Sequence, residues 1–327
     1  MCILATMPTT KWTSLVMASW SGLAESRRLL ASARPLASVA FVAAVLAIST
    51  ASALAQSSTK REPRNDKEDV AKIGDRGVGK AFNLYTLKAE QRMGKEAAEL
   101  VEKRESILED PVTAEFVNRI AQNLGRNSDA KVPIVAKVID SKEVNAMALP
   151  GGFIFVNAGL IEFAADESEL AGVLAHEIAH VAARHGTRNL SRAQTASLVA
   201  GVLAELGGKK ANAVYAGASL VLPLTFLKFS RSFEKQADFL GVQYLHASGY
   251  DPLGMVQFFE RLSAAGRSKG NVISNLFRSH PLSRKRVRLV QKAIDELLPA
   301  RPSYNVTGSE FDQIKARLRS RGEQSRH

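Results

Sequence analysis

The chain has 327 residues, of which 46% are hydrophobic, so it is long and apolar enough to bury the core of a globular protein. Its formal net charge is +12, and residues 1–55 hold four basic residues and one acidic residue, which leaves +9 for the remainder. Because aromatic residues make up only 6% and none is interleaved with a basic stretch, nucleic acid is not expected as a partner.

The first 55 residues are typical of a secretory signal peptide. Three arginines precede an apolar run from Leu36 to Ile48, and Ala53-Leu54-Ala55 provides small residues at the cleavage positions. We therefore expect cleavage after Ala55 and localisation in the periplasm. The alternative is an uncleaved membrane anchor, although the apolar run is shorter than the roughly 20 residues that span a bilayer.

The segment from residue 56 to residue 68 is polar and has no apolar periodicity, so we expect a flexible linker. A single domain is predicted for residues 69–300. It should begin with amphipathic helices as far as Leu124, separated at Asp110-Pro111, because apolar residues recur there every three or four positions. Ile134–Ile139 and Phe153–Val156 are the best candidates for strands.

The second half of the chain is predicted to be mostly helical. A long helix should run from Glu167 to Arg188, and the apolar segment 197–229 should form a buried helical hairpin, although a membrane-dipping loop or an active-site lid is also compatible with it. Further helices are expected at Arg231–His246, at Met255–Ala264 and at residues 282–297. Residues 301–327 are predicted to be a short basic C-terminal tail, extended over Arg301–Val306 and then helical.

The segment His176-Glu177-Ile178-Ala179-His180 is the strongest functional motif. Residues four apart lie on one face of a helix, so the two histidines can bind one metal ion, while the adjacent Glu177 can accept a proton from water. Unpaired ionisable groups on so apolar a helix would be costly without a metal. The only cysteine is Cys2, in the predicted leader, so any metal must be held by His, Asp or Glu.

A catalytic zinc ion usually has three protein ligands, so a third residue is required. Glu234 is the best candidate, because Asp238 follows four residues later and could hydrogen-bond a liganding histidine. Glu205 is the second candidate. His185 lies off the ligand face, and we interpret it as a group at the end of the helix or one that contacts a ligand.

In four segments the chain resembles the M48 family of zinc metallopeptidases, in particular its periplasmic branch. The segments are 145–156 (Asn-Ala-Met-Ala-Leu-Pro-Gly-Gly-Phe-Ile-Phe-Val), the HExxH helix, 230–238 (Ser-Arg-Ser-Phe-Glu-Lys-Gln-Ala-Asp), and His280-Pro281 with Arg286. The resemblance implies an α+β fold of the zincin type, mostly helical, with a small sheet above the HExxH helix. It also implies one Zn²⁺ per chain with Glu234 as its third ligand. The outer-membrane-assembly protease of that branch carries tetratricopeptide repeats, and no such repeats are recognised here.

The resemblance also implies a substrate-binding edge strand and further residues in the cleft. Residues 145–156 would form the edge strand, which would hold an extended polypeptide through main-chain hydrogen bonds. The substrate-binding residues expected on it are Asn145, Gly151, Gly152, Phe153 and Phe155. His280 would either donate a hydrogen bond to the reaction's oxyanion or occupy the open zinc position and keep the enzyme latent. Arg286 would brace the site through a salt bridge.

Together these features predict a zinc-dependent endopeptidase of the bacterial cell envelope. It would hydrolyse misfolded or envelope proteins by means of a zinc-activated water, with Glu177 as general base. Two alternatives remain open: a periplasmic chaperone or assembly factor with a latent zinc site, and a membrane-embedded protease of the same family. Segment 197–229 could provide peripheral contact with a membrane. Oligomeric state is not predicted.

Overall fold

The computed structural model describes residues 60–207, 229–266 and 280–324. The predicted signal peptide, most of segment 197–229 and the side chain of Glu205 lie outside the described residues.

The described residues form a mostly helical fold with one small sheet, which confirms the predicted α+β class. The helices are α1 (Leu87–Arg104), α2 (Pro111–Arg126), α3 (Ala158–Phe163), α4 (Glu167–Ala182), α5 (His185–Gly207), α6 (Arg231–Ala247), α7 (Leu253–Ala265), α8 (Arg284–Leu297) and α9 (Ser309–Gln324). The strands are β1 (Val135–Ile139), β2 (Ala146–Ala148) and β3 (Phe153–Asn157). Within the described ranges, no helix is both long and apolar enough to cross a bilayer.

Segment 145–156 does not form the single edge strand that was expected. It contains two strands, β2 and β3, and the sheet order is β1-β3-β2, so β3 lies in the centre and β2 at an edge. Strand β3 pairs with β1 in parallel and with β2 antiparallel. The chain reverses between β2 and β3 at Gly151 and Gly152, whose φ angles of 78° and 97° are strained for any residue with a Cβ atom.

The predicted helix from Glu167 to Arg188 is also wrong, because it is two helices. Helix α4 ends at Ala182, Arg184 has a φ of 55°, and α5 starts at His185 in a new direction. The guanidinium group of Arg184 stabilises this turn by donating to buried Glu90 Oε2 and to the Tyr85 carbonyl oxygen, both at 2.6 Å. Without the break, His185 would continue along α4 and could not fold back towards His180.

Helix α4 is the centre of the core. All but the first of its sixteen residues are buried, and they pack against α6, α7, α2 and the sheet. Such a helix is apolar on every side because neighbours surround it. Gly241 of α6 allows a close approach to α4, since a Cβ there would lie 3.3 Å from the backbone nitrogen of His176. The HExxH segment therefore lies on the most enclosed element of the described fold.

The C-terminal segment belongs to this core and is not a separate tail. Phe311, Ile314 and Leu318 of α9 are at most 4% exposed and pack within the main hydrophobic cluster. Arg317 Nε donates to the buried Asp110 Oδ2 at 2.6 Å. The domain boundary predicted at residue 300 therefore has no structural counterpart, because the apolar face of α9 completes the core.

Part of the predicted linker also contacts the domain. The backbone N–H of Arg61 donates to the carbonyl oxygen of Glu296 at 2.9 Å, and Lys60 Nζ donates to that of Ile294 at 3.1 Å. The chain is therefore attached to the end of α8 from residue 60 onward.

Candidate active site

His176 and His180 present their ring nitrogens to one point, as the spacing of four residues on α4 predicts. Their Nε2 atoms lie 3.1 Å apart, and the residues are only 4% and 2% exposed. Two imidazole nitrogens this close in an apolar interior can share one cation.

Glu234 completes a three-residue group with them. Ser230 caps α6 by accepting a hydrogen bond from the Phe233 N–H, which places Glu234 in the first helical turn. The two carboxylate oxygens of Glu234 lie 3.5 Å from the Nε2 atoms of His176 and His180. Burial alone would raise the pKa of Glu234, but His176 and His280 hold it well below its usual range, so the carboxylate is ionised.

His280 brings a fourth donor atom into the same group. Its Nδ1 lies 3.2 Å from His176 Nε2 and 3.1 Å from Glu234 Oε1. The donor atoms of His176, His180, Glu234 and His280 all lie within 4.8 Å of one another. Ligands on a tetrahedral zinc ion at 2.0–2.1 Å are separated by about 3.3 Å, so distances of 3.1–3.5 Å fit such an ion.

Asp238 and Arg286 support this group from behind. Asp238 Oδ1 lies 3.1 Å from His176 Nδ1, close enough for an ion pair, although the angle is not that of a good hydrogen bond. Arg286 binds Asp238 through two hydrogen bonds of 2.7 Å and places its Nη1 2.9 Å from Glu234 Oε2. Burial opposes ionisation of Asp238, but Arg286 and His176 outweigh it and lower the pKa.

Glu177 lies beside the four donors but does not belong to their group. Its Oε2 accepts a hydrogen bond of 3.0 Å from the N–H of Ala148 on β2, whereas Oε1 has no hydrogen-bond partner and lies 3.5 Å from His280 Nε2. Burial raises the pKa of Glu177, more than the neighbouring His280 and His176 lower it. A buried carboxylate with a raised pKa and one free oxygen has the properties of a proton acceptor and donor.

The two histidines of the motif have opposite electrostatic environments. Burial lowers the pKa of His176, but the carboxylates of Asp238 and Glu234 outweigh it and raise the pKa to about 9. Burial and the nearby His176 lower the pKa of His180 well below its normal value. His180 is therefore neutral in this arrangement, which is the form that binds a metal.

The predicted substrate-binding residues are mostly not available to a substrate. Gly151 and Gly152 are buried, and a Cβ on Gly152 would lie 2.0 Å from the carbonyl oxygen of Pro133. Phe155 is 1% exposed, and its strand β3 is paired on both sides. The backbone of the partly exposed Phe153 is also paired on both sides, with β1 and with Leu149. Asn145 precedes β2, and its backbone carbonyl accepts a hydrogen bond from Asn157. The two glycines thus serve the turn and its packing, and β2 is the strand next to Glu177.

Phe229 and Gln236 were not assigned a role at this site from the sequence, whereas His185 was expected to end the helix or to contact a ligand, and it does contact His180. The ring of Phe229 stacks on His180 with centroids 4.0 Å apart. His185 Nδ1 lies 3.0 Å from His180 Nδ1, and His185 Nε2 lies 3.1 Å from Gln236 Oε1. Burial lowers the pKa of His185 to about 3, so this ring is neutral. In the sequence, the only signal for a role of Gln236 is its position two residues after Glu234. The contact between Gln236 and His185 also depends on the direction in which α5 turns, and the sequence does not show that direction.

The chain is similar in sequence to a family of peptidases and to several of its members. Residues 108–294 match the model of peptidase family M48. The chain is 27% identical over 245 residues to the beta-barrel assembly-enhancing protease of Escherichia coli K12, an alignment covering 72% of this chain and 50% of the relative. It is 31% identical over 225 residues to the mitochondrial metalloendopeptidase OMA1 of Schizosaccharomyces pombe, covering 66% and 64% respectively.

A relative from Yersinia pestis, also named beta-barrel assembly-enhancing protease, is 27% identical over 224 residues, which are 66% of this chain and 45% of that protein. The alignments thus span about half the length of the two bacterial relatives. The family match contains the HExxH helix, Glu234, Asp238, His280 and Arg286. The chain therefore belongs to peptidase family M48.

Proposed function

We propose that this protein is a zinc-dependent endopeptidase of the bacterial cell envelope that hydrolyses misfolded or envelope proteins. The observation that carries the proposal is the position of Glu177, whose carboxylate lies beside the donor atoms of His176, His180 and Glu234 but is not one of them. A purely structural metal site has no use for a buried carboxylate in that place.

His176, His180 and Glu234 would hold the zinc ion. When bound, zinc supplies a Lewis acid that lowers the pKa of water and polarises a peptide carbonyl. Glu177 takes a proton from the attacking water on Oε1, while the Ala148 N–H keeps Oε2 in place. Glu177 then delivers that proton to the amine that leaves, which regenerates its carboxylate.

The substrate is a polypeptide in extended form. Strand β2 lies at an edge of the sheet, and its residue Ala148 contacts Glu177 directly. A strand paired along the free edge of β2 would therefore pass the general base. This assigns substrate binding to the backbone of Ala146–Ala148 in place of β3, because β3 is paired on both sides and β2 lies at an edge.

The position of His280 favours a latent state of the enzyme over a direct role of this residue in the reaction. Its Nδ1 lies among the donor atoms of the metal group, at the place a fourth ligand would take, and its Nε2 lies 3.5 Å from Glu177 Oε1. In this arrangement the ring stands between the base and the ligands. We infer that His280 must leave before water and substrate can enter.

A chaperone or assembly factor is the second candidate function, because four protein donors would close the metal site. Leu198 and Val199 of α5 are 61% and 53% exposed and lie in the apolar segment 197–229, which could contact clients or a membrane. Localisation in the periplasm after cleavage at Ala55 remains part of the proposal. It rests on the composition of residues 1–55.

The proposal is tested with the purified chain from Gln56 onward. Cleavage of an unfolded model protein is measured for the wild type, for His280→Ala, and for both combined with Glu177→Gln, with bound zinc quantified in each. We expect one zinc ion in every variant and cleavage by His280→Ala. Adding Glu177→Gln should lower the cleavage rate by about 10²–10⁴-fold. Glu99→Gln, an exposed carboxylate on α1, is the control.

Zinc-loaded His280→Ala that cuts no protein would contradict the peptidase. Suppression of aggregation of the same model protein by that variant would then favour the chaperone.

A further inference from the structure

The starting observation is that the inner nitrogens of two histidines face each other. His180 Nδ1 and His185 Nδ1 lie 3.0 Å apart, and both residues are at most 2% exposed. Two unprotonated nitrogens would repel each other, and two N–H groups would clash. One ring therefore donates a hydrogen bond and the other accepts it. Which ring donates determines whether His180 Nε2 carries a lone pair towards the metal group.

Gln236 decides the direction of that hydrogen bond. Its Oε1 lies 3.1 Å from His185 Nε2 and 3.5 Å from Arg188 Nη1. Because a guanidinium group can only donate, the amide atom that faces both residues is the oxygen. His185 must then carry its hydrogen on Nε2, which leaves His185 Nδ1 as an acceptor.

The remaining step follows from the two tautomers of a neutral imidazole. If His185 Nδ1 accepts, His180 Nδ1 must carry the hydrogen, and the lone pair of His180 lies on Nε2. That atom is 3.1 Å from His176 Nε2 and 3.5 Å from Glu234 Oε1, inside the group of metal donors. The order of donation is therefore His180 to His185 to Gln236.

Packing holds both rings in the plane this order requires. His185 stacks on Phe233 with centroids 4.1 Å apart and an angle of 16°, and His180 stacks on Phe229 at 4.0 Å and 24°. The guanidinium groups of Arg188 and Arg192 lie 4.7 and 4.4 Å from the centre of the Phe233 ring.

We propose that His185 and Gln236 are positioning residues that fix the tautomer of His180 and thereby determine how tightly the site binds zinc. His176 has a charged partner, Asp238, at its Nδ1, whereas His180 is supported by a chain of uncharged groups. The proposal rests on the proposed function only in that it takes zinc as the ligand.

The test measures the zinc dissociation constant of the purified chain by competition with a chelator. His185→Phe keeps a flat ring for the stack on Phe233 but removes the acceptor. Gln236→Met keeps the length of the side chain but removes the oxygen, and Gln236→Glu keeps an acceptor oxygen. Hydrogen-bond partners of metal ligands are worth about 10–100-fold in affinity, so we expect that loss for His185→Phe. Gln236 acts on the ligand only through His185, so Gln236→Met should weaken binding less than His185→Phe but clearly more than Gln236→Glu, for which we expect a loss under about 3-fold. Lys235→Met, at the exposed neighbouring position, should bind zinc as the wild type does.

Two further readouts separate positioning from packing. The melting temperatures of the metal-free variants should not follow their losses of zinc affinity. In particular, Gln236→Met should melt close to the wild type. In the metal-free wild type at neutral pH, long-range ¹H–¹⁵N NMR should show the hydrogen of His180 on Nδ1. The proposal would be overturned if Gln236→Met bound zinc as tightly as the wild type, or if Gln236→Met and Gln236→Glu weakened zinc binding equally. A hydrogen on His180 Nε2 in the metal-free chain at neutral pH would also overturn it. None of these readouts requires proteolysis. They therefore test the positioning role even if the peptidase assay shows no cleavage.

Discussion

Arg286 binds Asp238 through two hydrogen bonds, Nε to Oδ2 and Nη2 to Oδ1, each 2.7 Å long. The same guanidinium group lies 2.9 Å from Glu234 and donates to the carbonyl oxygen of Pro281, next to His280. One buried cation thus connects a metal ligand, the partner of a second ligand, and the segment that carries His280.

Removing this cation should weaken both folding and metal binding. Arg286→Met removes the guanidinium group that pairs with two buried, ionised carboxylates, so we expect a loss of about 3–5 kcal/mol in the free energy of unfolding. Arg286→Lys keeps the charge but not the two-pronged geometry and should fall in between. Urea unfolding of the metal-free and zinc-loaded chains measures this, with exposed Arg288→Met as the control. A change below about 1 kcal/mol for Arg286→Met would contradict the role.

Replacing His280 should activate the enzyme and leave the metal in place. His280→Ala removes the fourth donor, but His176, His180 and Glu234 remain, and three protein ligands suffice for a catalytic zinc. We expect unchanged zinc content and faster cleavage of a peptide substrate than by the wild type. If His280 instead stabilises the oxyanion, the same variant should lose about 10²–10³-fold in kcat, and the sign of the change distinguishes the two roles.

The C-terminal helix should be required for stability. Phe311 is fully buried against Phe116, so Phe311→Ala should cost about 3–5 kcal/mol. Phe82→Ala is the matched control, because Phe82 is 64% exposed and its truncation should change stability by no more than about 0.5 kcal/mol. Equal effects of the two substitutions in urea unfolding would show that α9 does not contribute to the core.

Stability should fall as the pH drops from 7 to 5, in part because of His246. Burial, followed by the charges of Arg301 and Lys60, lowers its pKa to about 4, and Tyr304 faces its ring. Between pH 4 and pH 6.5, the ordinary pKa of histidine, the unfolded chain binds more protons than the folded chain. The stability that neutral His246 contributes is therefore fully present above about pH 6.5 and is lost as the pH falls below it.

We expect His246→Gln to reduce the difference in unfolding free energy between pH 7 and pH 5 by about 1–2 kcal/mol. The comparison is made on metal-free protein, so that loss of zinc at low pH does not contribute. An identical pH dependence in the wild type and the variant would show that His246 is not held neutral.

Much of the helical fold was predictable from apolar spacing. The helices α6, α7 and α8 lie within two residues of their predicted bounds, because each has one face that packs on the core. A turn at Gly151 and Gly152 fits their residue type, because glycine readily adopts a positive φ. The hairpin they form was not predictable, since the residues on both sides are apolar and the pairing of β3 with β1 depends on contacts distant in sequence.

By itself the sequence determined the pair His176 and His180 and the neighbouring base Glu177, because four residues on a helix return to the same face whatever surrounds them. The break at Arg184, the approach of His280 across 104 positions, and the connection from His180 through His185 to Gln236 were decided by tertiary structure. Each depends on how separate elements pack, and local spacing carries no information about the direction a chain takes after a turn.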